Sequence, residues 1–167
     1  MFHLDESNSS QTERIVLDLV NLAEKKKSLV NNIFKLTVNY FAVTEAPIEH
    51  KAERLLRLLE NRQEIIDEVN QIDDKISEHR EGLQLLGISE NLLGEYPSWR
   101  NFVMLNEDTR ELLLEIQKSG VALNKDLMEL NETISTGLKE IQLNKQRLKS
   151  YAAPSNQLSG AFVDKKK

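Results

Sequence analysis

From Glu107 to Tyr151 the chain carries a seven-residue apolar repeat too long for any turn-rich fold to accommodate. With Leu113 as an a position, a recurs at Gly120, Leu127, Ile134, Ile141 and Leu148, and d falls at Ile116, Leu123, Leu130, Gly137, Asn144 and Tyr151. Apolar residues three and four apart share one face of a helix, so the repeat predicts a single amphipathic helix over 107–151. At 1.5 Å per residue that helix is about 65 Å long, well beyond a typical globular helix. A stripe of that length needs other long helices beside it. The rest of the chain is therefore read for helices that can cover it.

The first of these is expected over about 10–43. Ser10, Gln11, Thr12 and Glu13 fit the S-x-x-E capping box, in which serine and glutamate side chains satisfy the orphan amides of a helix start. Ile15, Leu19, Leu22, Leu29, Ile33 and Leu36 form one stripe, and Val16, Val20, Ala23, Val30, Phe34 and Phe41 form an adjacent one. A face that wide predicts contact with two neighbours at once. Thr44 and Pro47 punctuate its end, and Pro47 also suits the start of a second helix over about 47–86. That helix carries Leu55, Leu58, Arg62, Ile65, Val69, Ile72, Ile76, His79 and Leu83 on one stripe, widened by Leu59 and Ile66. The short connection predicts an antiparallel αα-hairpin.

Residues 87–106 break the pattern with Gly87, Gly94 and Pro97, and contain Trp99, the only tryptophan. Trp99, Phe102 and Val103 have helical spacing within this irregular stretch, and Trp99 with Phe102 is read as a plug for one end of the bundle. Asn106, followed by Glu107 and Asp108, is a good helix start, a capping side chain before acids at the positive end of the dipole. Gly120 and Gly137 on the seam are read as sites of close packing within the chain. The expected architecture is all-α: an elongated antiparallel helical bundle or coiled coil of about three long helices. Its domain is 1–151, followed by a tail at 152–167, flexible or docking, in which Pro154 stops the helix.

Charge narrows the function. The chain has 22 basic and 27 acidic residues in 167, a net charge of −5, with the signs interspersed. That argues against a nucleic-acid protein, which presents a basic face to phosphates. Lys25–Lys27 spreads around a helix rather than forming a patch. Cysteine is absent, which excludes disulfides, thiolate metal sites and cysteine nucleophiles and fits a reducing compartment. The start of the chain lacks a signal peptide's pattern, and no window reaches the apolar length that spans a bilayer. A cytoplasmic protein without membrane insertion is expected.

No chemistry is legible. The histidines are His3, His50 and His79. Neither Glu-x-x-His pairs nor H-E-x-x-H occur, and Glu64, Asp67, Glu68, Asp73 and Asp74 point around a helix with no calcium-binding loop among them. Nucleophile elbows and phosphate loops are missing too. The expectation is a non-enzyme with no cofactor and no metal, whose work is binding through helical anchors.

Three features resemble the bacterial flagellar export chaperones of the FlgN type, within the FlgN/FliT-like family. One is the plan of two long helices, an irregular middle, a long helix and a tail. Another is the texture Leu58, Leu59, Arg62, Gln63, Ile65, Ile66 and Asp67 through Ile72 and Asp73. The third is the ending, Tyr151 followed by a polar spacer and Gly160, Ala161, Phe162, Val163, Asp164, Lys165 and Lys166, similar to the family's Tyr…Gly-x-Phe-Ile-Asp-Lys-Lys. Val163 departs from that pattern, and the Trp99 segment has no counterpart in it.

The resemblance implies a chaperone that binds the C-terminal helical segment of hook-associated (hook–filament junction) proteins, prevents premature assembly and delivers them to the flagellar type III export gate. The alternatives are a chaperone of the filament cap protein (FliT type) and a self-associating coiled-coil structural or tethering protein. A homodimer stays open. Candidate partner-binding residues are Leu123, Leu127, Leu130, Ile134, Ile141, Leu148, Tyr151, Leu158, Phe162 and Val163.

Overall fold

A computed structural model describes residues 6–42 and 47–152, with side chains over 9–42 and 47–149. Every element among them is helical: α1 Glu6–Ala42, α2 Ile48–Leu85, the single turn α3 Glu90–Leu93, and α4 Pro97–Ala152. The chain divides into two compact units, residues 1–125 and 126–167, so the division falls inside α4 rather than at Tyr151.

In the first unit α1 and α2 run antiparallel. Val16, Leu19, Val20 and Ala23 of α1 meet Ile72, Ile76 and Leu83 of α2, while Val30 and Ile33 further along α1 meet Ile65, Ile66 and Val69. At the far end the Arg54 guanidinium donates to the Tyr40 carbonyl at 2.8 Å and lies over the Tyr40 ring. The first part of α4 runs parallel to α1: Phe102 joins the cluster around Leu19, and Leu112 and Ile116 join the one around Val30. α1 therefore touches two helices, as its double stripe predicts. The α2 stripe also holds along its length, with Leu55, Leu58, Ile72, Ile76 and Leu83 buried and Arg62, Ile65, Val69 and His79 half-buried. Desolvation lowers the Arg62 guanidinium below its ordinary value.

Two starts differ from expectation. α1 already includes Glu6, so Ser10 sits within the helix rather than at its start. α4 begins at Pro97, ten residues before Glu107, and Asn106 lies inside it, donating to the Phe102 carbonyl at 2.9 Å. The physical reason is Pro97 itself. At the first helical position its missing amide costs nothing and its fixed φ favours the turn. Trp99, Phe102 and Leu105 then continue the helical spacing into the repeat.

α2 ends in a Schellman motif. Gly87 takes a φ of 71°, its amide reaches the Gln84 carbonyl at 2.9 Å, and the Ile88 amide reaches the Leu83 carbonyl at 3.1 Å. Leu83 and Ile88 are both buried in the same cluster, the apolar contact that accompanies this cap. The chain then turns through α3, whose Leu93 enters that cluster, and Trp99 packs on it with its ring centroid 5.1 Å from Phe102. Phe102 thus belongs to the core, and the half-buried Trp99 packs against it.

Candidate functional site

The repeat on α4 separates into two lines with different environments. Phe102, Thr109, Ile116, Leu123 and Leu130 follow one another at seven-residue intervals, and all are buried. The next two positions on that line are Gly137 and Asn144, which have no apolar side chain to bury. The a line behaves oppositely. Leu127, Ile134, Ile141 and Leu148 are 44, 52, 53 and 68% exposed, and Leu138, beside them on the helix, is 56% exposed.

This splits the candidate partner-binding residues. Leu127, Ile134, Ile141 and Leu148 present apolar surface to solvent. Leu123 and Leu130, at 5 and 6% exposure, do not, and their place among exposed anchors is corrected. The reason is the angle each line takes around the helix. Burial follows d with the half-buried Leu105, Leu112, Ser119 and Asp126 one turn away, and leaves a facing water. The Tyr151 side chain, and Leu158, Phe162 and Val163 altogether, lie outside the described residues.

The two seam glycines are not close-packed. A Cβ built on Gly120 or Gly137 meets nothing within 4 Å. They remove side chains from the repeat without admitting a neighbouring backbone, which corrects the close-packing expectation.

Two open troughs border the described helices of the first unit. One, of about 870 Å³, lies between α1 and α4, with Leu105, Leu112 and Leu114 along one wall and Glu24, Ser28 and Asn31 along the other. The second, of about 530 Å³, is lined by Ile76, Trp99, Phe102 and Val103 beside the Lys26–Asp73 ion pair. The lysine triplet divides accordingly. Lys26 reaches α2, whereas Lys27 reaches Asp108 of α4 at 2.6 Å.

Among the described residues no group of three or more histidine and carboxylate side chains could hold a metal ion, and no helix is long and apolar enough to cross a membrane. Within the acidic run on α2, Asp73 pairs with Lys26 of α1 and Asp67 accepts from Gln63. What remains is apolar surface arranged along helices. No family model, curated protein or solved structure matches the chain.

Proposed function

We propose that this chain is a cytoplasmic, non-enzymatic helical chaperone of the FlgN type, which binds the C-terminal helical segment of hook-associated proteins and hands it to the flagellar export gate. The observation that supports the reading is the exposed line Leu127, Ile134, Leu138, Ile141 and Leu148. These residues stand at helical intervals on α4, and a client helix recognised through its own i, i+3, i+4 and i+7 anchors would cover them. Fully burying one leucine or isoleucine is worth about 1.5–3 kcal/mol, and part of that gain is offset by the cost of ordering the partner. A client segment that otherwise assembles with its own kind would have the same apolar face occupied until delivery.

Size exclusion with light scattering tests this, using the full chain mixed with C-terminal segments of the junction proteins and of the cap protein from the same organism. A one-to-one complex with junction segments is expected. A complex with the cap segment alone would move the chain to the FliT type. No complex with either, alongside a stable homodimer, would replace the chaperone reading with a self-associating structural coiled coil.

A further inference from the structure

We infer that the trough between α1 and α4 in the first unit is a second docking site, for an amphipathic helix of another protein whose leucine-type anchors recur at heptad spacing and are flanked by lysine or arginine. The inference goes beyond the chaperone reading and uses none of the residues of the exposed α4 line. It starts from the register of two parallel helices. Lys27 with Asp108, and Val30 and Ile33 with Ile116, hold α1 and α4 side by side. α2 covers one side of this pair through Ile65, Ile66 and Val69. The trough lies between the same two helices, and no α2 residue lines it.

Its α4 wall carries leucines bordered by carboxylates, and its α1 wall is polar. Glu24, Ser28 and Asn31 share one face of α1, and heptad steps from Glu24 and Asn31 reach the exposed Leu17 and Val38. On α4, Leu105 and Leu112 lie half-buried in the trough and Leu114 is exposed, with Val121, also exposed, one heptad further along. Apolar positions therefore recur along the α4 wall over several turns, longer than a small-molecule pocket requires, while the α1 wall is polar where it lines the trough. Isolated surface leucines need no explanation, but a repeating set bordering one trough does.

Charge selects the occupant. The lining carries the carboxylates of Glu24, Asp108, Glu111 and Glu115 against the ammonium groups of Lys27 and Lys118. Both lysines are already committed, Lys27 to Asp108 and Lys118 to Glu115, each at 2.6 Å. Glu24 and Glu111 have no ion-pair partner among the described residues. An acidic flank of this kind repels a partner with glutamates beside its anchors and attracts one with lysines or arginines there.

The probes are two fluorescein-labelled synthetic helices, each about three heptads long, with leucine at a and d. One carries lysine at e and g and the other glutamate. Like charges at those positions keep each peptide from pairing with itself. Fluorescence anisotropy with the full chain should show saturable binding of the lysine peptide that weakens as salt is raised, and none of the glutamate peptide. Backbone amide shifts on binding should centre on residues 105–121 and 17–38. Glu24→Gln with Glu111→Gln, both exposed and so without effect on the melting temperature, should weaken the lysine peptide about tenfold. Equal affinity for both peptides, shifts confined to 127–148, an unchanged affinity in the double variant, or no binding of the lysine peptide would each overturn the inference. None of these outcomes bears on flagellar clients, which the co-elution experiment reads separately.

Discussion

Leu130 and Ile134 stand one helical turn apart on α4, yet the first is 6% exposed and the second 52%. Both are apolar and both belong to the same heptad repeat. The structure assigns one to the interior and the other to solvent, and that difference separates stability from binding along this helix.

Substitution of each residue should separate the two roles. Leu130→Ala removes buried methyl groups and is expected to cost about 2–4 kcal/mol, read as a lower urea midpoint at constant m-value. Ile134→Asp with Ile141→Asp places charges on surface already wet, so circular dichroism and the melting temperature should hold while co-elution with a junction segment is lost. A collapse of helicity in the double variant would show that these residues are core.

Leu19 is fully buried in a cluster that also holds Ile72 and Ile76 of α2 and Phe102 of α4. Leu19→Ala leaves a cavity that three helices must close together, and a loss of about 3–5 kcal/mol is expected in urea denaturation. The exposed Leu17, two residues earlier, serves as the control. Leu17→Ala should change stability by less than about 0.5 kcal/mol.

The glycines should respond in opposite directions. Gly87→Ala forces a side chain into the left-handed region at a φ of 71° and should cost about 1 kcal/mol. Gly120→Ala and Gly137→Ala add a Cβ that meets nothing within 4 Å, in helix interiors where alanine is the better former. Each should raise stability by about 0.5–1 kcal/mol, seen as a higher melting temperature. Destabilisation by Gly137→Ala would mean that something approaches that backbone in solution.

Buried threonines offer a fourth contrast. Thr37 is wholly buried and its hydroxyl donates to the Ile33 carbonyl at 2.8 Å, and Thr109 does the same to Leu105 at 2.7 Å. Those carbonyls already accept bonds within their helices, so removing the hydroxyl orphans no partner. Thr37→Val is expected to change stability by less than about 1 kcal/mol in urea denaturation, whereas Thr37→Asp, which buries a charge, should unfold the first unit.

The helices and most of their faces were legible because helical period is a local property. The wide stripe on α1 announced two neighbours, and the structure supplies α2 and α4. The α2 stripe survives from Leu55 to Leu83, but Leu59, read as widening it, is exposed. The start of α4 was misplaced because the Gly- and Pro-containing segment reads as irregular, although Pro97 is as good a helix opener as it is a breaker. Nothing local distinguishes the two roles. What decides is whether Trp99 and Phe102 find a core to enter.

Periodicity by itself determined that this chain makes long helices with apolar stripes, since spacing alone sets which residues share a face. It could not determine which line of a two-line stripe is buried, because Leu127 and Leu130 satisfy the same heptad equally well. Only the tertiary structure decided that, through the angle at which each line meets its surroundings. The trough between α1 and α4 is likewise invisible along the chain. It exists because residues 81 positions apart, Lys27 and Asp108, are brought together and leave a space that neither helix contains alone.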